Sequence, residues 1–452
     1  MSEAIETEEI PGGFRQTQLG PRTITVPDHW SRVRIKDVSE VVTRGKQPTY
    51  VDDPGVPVLN QSCIYWDGYY QENLKYLDED VAEDWKSKHF ATKGDILINS
   101  TGQGTLGRAL YWDKESGTHA IDSHITRVSV DPDTIDPEFL RYYLESTWGQ
   151  TMLYVFCVAG STGQIELSKT DLMSMPLLSP PVEEQRGIAE TLSVVDEQIQ
   201  QTDDIIKETK GLREGLMQDL YGSGIGNDTF SSLQVGPREI EIPSHWELRS
   251  VDELKSTTTS KKAIRGGPPG GRIKKSDRSE NGAKLYVQEN VIHNDFERRG
   301  DYLSPEKFEE LRSAEVDPGD VLITRSGTIG KSEVFPDDAQ RGILGSSLIR
   351  VKINKDIIRP RYLSQFLADS HIAQSQIQSM SHGGTRTGLN NKIVKSIQVP
   401  VPPIDEQDRI SKILRKVDEK IQQEKQYRDE LKDLKRGLMQ DLLTGKLRVN
   451  TD

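Results

Sequence analysis

Pro180-Pro181-Val182-Glu183-Glu184-Gln185-Arg186-Gly187-Ile188 returns later in the chain as Pro402-Pro403-Ile404-Asp405-Glu406-Gln407-Asp408-Arg409-Ile410. Gly215-Leu216-Met217-Gln218-Asp219-Leu220 likewise returns unchanged from Gly437 to Leu442. The offset is 222 in both cases, and laying residues 180–221 on 402–443 without a gap gives 21 identities in 42 positions. This is an internal duplication.

Each copy reads as one long helix. From Ile188 the apolar residues fall at Leu192, Val195 and Ile199, then at Ile206, Leu212, Leu216 and Leu220. From Ile410 they fall at Leu414, Val417 and Ile421, then at Leu431, Leu434, Leu438 and Leu442. The pattern is a heptad-like seam. A Pro-Pro start with acidic Glu183 and Glu184, or Asp405 and Glu406, suits a helix N-terminus, and Gly222 and Gly445 suit C-terminal caps. About 40 residues at roughly 1.5 Å each make a rod of roughly 60 Å. One apolar stripe on an otherwise charged helix needs a partner. The two seams share phase and length, so the copies are expected to pair with each other, antiparallel; a plain structural hairpin is the simpler use of the same pattern.

The duplication extends upstream. Val26-Pro27-Asp28-His29-Trp30 answers Ile242-Pro243-Ser244-His245-Trp246, and Gly94-Asp95-Ile96-Leu97-Ile98 answers Gly319-Asp320-Val321-Leu322-Ile323. Between these anchors the halves diverge, as in Tyr50 to Tyr76 against Lys261 to Tyr286. The expected layout is an acidic, partly flexible segment 1–25, a module 26–180, a helix 181–221, a linker 222–241, a second module 242–402, a second helix 403–443 and a tail 444–452. Strand-like runs at Arg32 to Val42, Asp95 to Asn99, Arg127 to Val130, Val321 to Thr324 and Leu348 to Ile353 alternate with helix-like Pro137 to Thr147 and Pro360 to Asp369. The fold class is α+β: two mixed α/β modules in a pseudo-two-fold arrangement, separated by two long antiparallel coiled-coil helices. Such symmetry suits a two-part DNA target.

Composition narrows the rest. With 452 residues the chain has room for two or three domains, and no apolar run approaches the roughly 20 residues that span a bilayer. The stretch Met1 to Pro11 is acidic and lacks a signal peptide's basic and apolar regions, so a cytoplasmic protein without membrane contact is expected. Two cysteines, Cys63 and Cys157, are too few for a disulfide framework or a Cys-based zinc site and read as core residues.

The chemical motifs are decoys. Gly102-Gln103-Gly104-Thr105-Leu106-Gly107 fits a dinucleotide fingerprint, but Arg108 to Trp112 reads as a strand where a helix is needed. Gly327-Thr328-Ile329-Gly330-Lys331-Ser332 resembles the tail of a phosphate-binding loop, yet Arg325 stands where its first glycine belongs. Asp418-Glu419-Lys420 has the form of a nuclease motif but lies within the helix, with Gln198 opposite Lys420 in the other copy. An amino-methyltransferase motif, a G-x-S-x-G motif and paired metal-binding histidines are all missing. The chain has no recognisable catalytic constellation and no metal site.

The formal net charge of −13 argues against nucleic acid until its distribution is read. Lys255, Lys261, Lys262, Arg265, Arg272, Lys274, Lys275 and Arg278 face Asp277 alone, a local net of +7, split by Gly266-Gly267-Pro268-Pro269-Gly270-Gly271. That loop can follow a phosphate backbone. A second enrichment runs from Arg341 to Lys395 and includes Arg350, Lys352, Lys355, Arg359, Arg361, Arg386 and Lys392. Arg325 adds to it. Residues 30–180 hold 14 basic against 22 acidic residues, net −8, and residues 246–402 hold 25 against 20, net +5. The first module offers Arg44, Lys46, Gln47, Asn60, Gln61, Ser100, Gln103, Ser161, Thr162 and Gln164, types that pair with base edges in the major groove.

Two divergent modules, each closed by a helix with P-P-x-[DE]-E-Q-x-x-I and later G-L-M-Q-D-L, resemble the specificity subunit of type I restriction-modification systems. Thr43-Arg44-Gly45-Lys46-Gln47-Pro48, the Gly-Asp strands, and Gly104 to Gly107 or Gly327 to Gly330 are similar to that family's module signatures. The resemblance implies that each module is a target recognition domain reading half of a bipartite double-stranded DNA target, with the paired helices as a ruler. It implies two modification subunits that use S-adenosylmethionine to methylate adenine N6. It also implies restriction subunits that use ATP and Mg²⁺ to translocate and cleave. This chain would supply specificity, with no cofactor and no catalysis of its own. In the second module the Gly-x-x-Pro signature is not clear at Thr257 to Lys262. A coiled-coil adaptor joining proteins without sequence readout is the other class the residues allow.

Overall fold

The computed structural model describes residues 11–52, 55–159, 165–236, 238–258, 262–298, 300–381 and 388–449. The chain is α+β and divides into two units, one formed by Met1–Asp203 with Gln426–Asp452, the other by Asp204–Lys425. Among the described residues no helix is long and apolar enough to cross a membrane.

The units share a plan. In the first, an antiparallel sheet runs in the order Ala109–Tyr111, Ile96–Asn99, Ile125–Val130, Ser39–Arg44. In the second, the order is Ser332–Val334, Val321–Thr324, Leu348–Val351, Ile264–Gly266. Each unit also has a mixed sheet, four-stranded and containing Val56–Leu59 in the first, five-stranded and containing Ala283–Tyr286 in the second. The run Arg32 to Val42 is not one strand. Arg34 N donates to Asp37 Oδ2 at 3.0 Å, which turns Ile35–Val38 into a helical step between strands Ser31–Arg34 and Ser39–Arg44. Residues 14–27 and 230–243, divided in the sequence reading between terminal segment or linker and module, each form one hairpin: Phe14–Leu19 with Arg22–Pro27, and Phe230–Val235 with Arg238–Pro243.

The repeated Gly-Asp pairs sit under these sheets. Asp95 accepts Thr92 N at 2.5 Å and meets Arg127 Nε at 2.6 Å; Asp320 accepts Asp317 N at 2.8 Å, with Arg350 Nε at 3.8 Å and Lys352 Nζ at 2.9 Å. All five side chains are largely buried. Burial pushes both carboxyls above the usual carboxylate range, against the pull of their cations and backbone donors.

The long helices run Val182–Gly222 and Ile404–Leu442. Gly222 lies inside its helix rather than capping it; the left-handed residue beyond is Gly224, at φ +67°, while Gly445 holds φ +72° after the second helix. Each N-terminus is fastened to its module by the adjacent Glu and Gln of the duplicated motif. Glu184 Oε2 accepts the Trp30 indole at 3.2 Å and meets His29 Nε2 at 2.9 Å. Glu406 accepts the Trp246 indole at 3.1 Å and Ile225 N at 2.9 Å, with His245 at 3.5 Å. Gln185 accepts Asp136 N and donates to Pro180 O, both at 2.8 Å; Gln407 does the same with Arg359 N and Pro402 O. Asp136 and Arg359 are the N-caps of helices Pro137–Glu145 and Pro360–Asp369.

Inside each unit a segment of one long helix packs on a segment of the other. In the first, Ile188 and Leu192 join Leu442 in the main core, and Val195 and Ile199 pack with Leu431 and half-buried Leu438. In the second, Leu220, Ile410 and Leu414 enter the core beside half-buried Leu216, with Ile421 buried and Val417 half-buried. Cross-helix ion pairs join Lys435 to Asp196 at 2.8 Å and Arg428 to Asp203 at 3.2 Å in the first unit, and Arg213 to Asp418 at 2.5 Å in the second. In all three the residue numbers add to 631, the mark of antiparallel register. Leu212 and Leu434 depart from the expected seam, being 58% and 50% exposed. Six residues on from Ile206 is well off its helix face, whereas seven returns close to it. That place is taken by Arg213, and by Lys435 in the other copy; each also reaches its own module, at Asp369 and Glu145 respectively, both 2.7 Å away.

Burial raises the Glu406 carboxyl, but its donors from Ile225, Asn227, Trp246 and His245 outweigh this and hold its pKa below the usual range. Its contribution to stability is therefore present above an unfolded pKa of about 4.3 and lost as pH falls through the folded value. Glu406→Ala leaves the Trp246 and Ile225 N–H groups without their acceptor and should cost about 2–3 kcal/mol in the second unit. Calorimetry should show a lower transition for that unit, less so for Glu406→Gln, with the Ala penalty shrinking in acid.

Candidate nucleic-acid interface

The strand edge at Arg44 leads to a surface joined by side-chain hydrogen bonds. Ser123 Oγ donates to Gln47 Oε1 at 2.7 Å, His124 Nδ1 lies 3.0 Å from Thr101 Oγ1, and Thr101 Oγ1 donates to Gln61 Oε1 at 3.3 Å. Gln103 is exposed at the bend between Gly102 and Gly104, whose φ values of +94° and +82° are the left-handed conformation that glycine supplies without strain. Lys46 is exposed, its ammonium 4.9 Å from the Trp85 ring centroid. Gln47, Gln61, Gln103 and Lys46 are thus brought to one surface. Thr101, Ser123 and His124 join them without any signal in the sequence.

Other candidates of the first module serve the fold. Asn60 is 6% exposed; its Oδ1 accepts Ser62 N at 2.9 Å and its Nδ2 donates to Asn73 O at 2.8 Å. Ser100 is fully buried, bonded to Ile98 O and Thr126 Oγ1. Neither can meet a base edge without unfolding its surroundings. Arg44 is half-buried, pairs with Glu166 and donates to Leu167 O at 2.6 Å; burial lowers its pKa. Ser161, Thr162, Gln164, Lys261 and Arg386 lie outside the described residues.

The second module repeats the edge with different chemistry. Gly45 N donates to Ile125 O, and a Cβ on Gly45 would lie 2.2 Å from Asp122 O; Gly267 N donates to Leu348 O, and a Cβ there would lie 1.8 Å from Gly345 O. Only glycine fits either place. Arg265-Gly266-Gly267-Pro268 is therefore the counterpart of Thr43-Arg44-Gly45-Lys46, several residues beyond the Thr257 to Lys262 stretch where the sequence leaves the signature unclear. The strand registers agree: Arg44 faces Thr126 and Gly266 faces Ile349. Lys262, Lys274 and Lys275 are exposed around this edge, and Arg272 is exposed but paired with Glu310 at 2.7 Å. Arg265 is half-buried; Arg325 is half-buried too, with its Nη1 3.1 Å from the place of a Gly266 Cβ.

The Arg341 to Lys395 enrichment is divided between two buried cations and exposed or half-buried ones, several of them held in ion pairs. Arg350 and Lys352 are buried under the sheet, Arg359 pairs with Asp408 at 3.1 Å, and Arg341 and Arg361 pair with Glu315 and Glu333 at 2.5 Å each. The glycine motifs are hairpins: Ile96–Asn99 returns as Ala109–Tyr111, and Val321–Thr324 as Ser332–Val334. Neither opens a helix that could hold a nucleotide phosphate. Among the described residues no group of three or more His, Cys, Asp or Glu could hold a metal ion.

The family model for the type I restriction modification DNA specificity domain matches residues 27–210 and 269–433. The putative type I restriction enzyme MjaX specificity subunit of Methanocaldococcus jannaschii is 26% identical over 443 residues, covering 97% of each chain. The EcoBI specificity subunit of Escherichia coli is 24% identical over 408 residues, covering 86% of this chain and 79% of its own. The fold is shared with a chain solved in work on assembly and conformational transition of the type I restriction-modification system, at a TM-score of 0.57, 17% identity, and coverage of 93% of this chain and 99% of that one. It is shared too with the system's S subunit from M. genitalium, at 0.52 and 18%, covering 91% and 96%. With duplicated modules, duplicated helices and a family match over most of its length, this chain belongs to the type I restriction-modification DNA specificity family.

Proposed function

We propose that this chain is the non-catalytic subunit that selects DNA for a type I restriction-modification complex. Each module reads one half of a bipartite double-stranded target, and the paired helices set the gap. The observation that carries this reading is that the two units share the Glu-to-indole, Gln-to-helix and buried Asp-to-Arg fastenings while differing in what the Gly45 and Gly267 edges present. Conserving the support and varying the surface is what reading two different sequences on one scaffold requires.

Two modification subunits would bring S-adenosylmethionine and methylate adenine N6, and restriction subunits would bring ATP and Mg²⁺. Support for two copies of one partner comes from the helices. Ile205 and Leu212 are exposed on the first, in the second unit; Tyr427 and Leu434, at the same offset of 222, are exposed on the second, in the first unit. Each pair lies seven residues apart, on one helix face. A surface that occurs twice fits a partner that binds twice.

Mapping N6-methyladenine across a methylation-free host should reveal a split motif only when the chain is expressed with its modification subunit. A complex that forms yet methylates no motif would favour a plain adaptor. Leu212→Asp or Leu434→Asp should each leave one modification subunit bound instead of two, and the double variant none, as read by native mass spectrometry. Within the complex, Lys274→Glu with Lys275→Glu should reduce the slope of log affinity against log salt by about 2. Lys46→Glu in the acidic first module should reduce it by no more than about 1.

A further inference from the structure

The first module carries a second exposed feature beside Gln103, a tight hairpin in which Ile64–Tyr65 pairs with Gly68–Tyr69 around the two-residue loop Trp66-Asp67. Its root is buried: Ile64 lies in a cluster with Cys63 and Trp112, and the Tyr69 and Trp112 rings stand edge to face at 5.5 Å. Its tip faces water, with Trp66 44% and Tyr65 37% exposed. A rigid element that holds an indole in solvent forgoes the burial that tryptophan ordinarily finds.

Arg108 ties this tip to the DNA-facing loop. Its guanidinium lies 4.7 Å from the Tyr65 ring centroid, donating to Ile64 O at 3.3 Å and to Gly104 O at 2.8 Å, one residue from exposed Gln103. The hairpin is thus continuous with the candidate interface. Among the described residues the second module has no such feature at the corresponding place. Asp122 N bonds Leu59 O in one unit as Gly345 N bonds Tyr286 O in the other, so Leu59 and Tyr286 are counterparts. Seven residues beyond Leu59 stands Trp66; seven beyond Tyr286 stands His293, closing the short helix Gln288–Ile292. Around its own edge the second module presents the exposed Lys262, Lys274 and Lys275.

From this juxtaposition we infer that the Trp66 indole, at the tip of the hairpin that Arg108 anchors through Ile64 O and the Tyr65 ring, stacks on a base step of the half-site that the first module reads. The contact supplies that module with affinity that does not depend on phosphate neutralisation. Apolar wedges and base-to-ring stacking act in this way, and they select for steps that unstack easily. The inference rests on the DNA-reading assignment above.

The test uses the full chain complexed with its modification subunit and the split-motif duplex found by methylation mapping. Trp66→Ala should lose about tenfold or more in affinity at every salt concentration with an unchanged salt slope, and Trp66→Phe should keep most of it. Trp66→Lys separates stacking from charge: weaker binding than wild type supports stacking, whereas tighter binding overturns it. Since Trp66 is at an exposed tip, complex assembly and unfolding should match wild type in all three variants. Affinity of Trp66→Ala within twofold of wild type, with a motif present, overturns this inference alone. Failure of the wild-type complex to select any motif overturns the inference and the DNA-reading assignment together.

Discussion

Everything in each unit is referred to the first turn of a long helix, where Glu184 or Glu406 accepts a hydrogen bond from a buried indole and the next residue, Gln185 or Gln407, caps the module's own helix. Adjacent residues on a helix point about 100° apart. One therefore grips the Trp that precedes a strand of the module and the other the N-terminus of a helix within it. The direction in which the helix departs is set by two side chains, each bonded to more than one element. A carboxylate accepting an indole and a backbone N–H in low dielectric is a high-stakes arrangement, strong when complete and costly when one member is lost. The second fastening, Lys435 or Arg213 bridging the other helix and the module, makes the helix pair answer to the same module.

The support and the surface obey different constraints. Asp95 with Arg127, and Asp320 with Arg350 and Lys352, are charges buried beneath a sheet, where removing one partner would strand the other. Gly45 and Gly267 lie where a carbonyl oxygen leaves no room for a Cβ. These positions cannot vary independently, and they recur. The side chains above them, Lys46, Gln47 and Gln103 in one unit and Lys262, Lys274 and Lys275 in the other, are exposed. They are free to differ, and they do.

Much of this was legible in the sequence because duplication needs no partner to be seen. The helices, the His-Trp anchors and the Gly-Asp strands all announced themselves by recurring. What the repeats were for was not legible: that Glu184 meets Trp30 across 154 positions is a fact of tertiary contact. Several readings failed for physical reasons. Leu212 and Leu434 match an apolar pattern, but the seam position beside each is taken by a cation whose acceptors lie elsewhere in the chain. Arg350 and Lys352 counted as surface charge because composition cannot see Asp320 beneath them. Asn60 and Ser100 are of base-reading type, yet their hydrogen bonds close inward. The second module's glycine signature was hidden by a longer preceding loop, and only the strand pairing recovers it.

The first unit is assembled from both ends of the sequence, and the second from one unbroken stretch. Between Asp203 and Gln426 a ribosome adds 222 residues, which at roughly 5–20 residues per second takes about 10–45 s. For that time the beginning of the first helix has an apolar face with no Leu431, Met439, Leu442 or Leu443 to cover it. The second unit, complete earlier, can close while the first still waits. Until the second helix is made, that uncovered stripe is the kind of transient apolar surface that promotes association during synthesis.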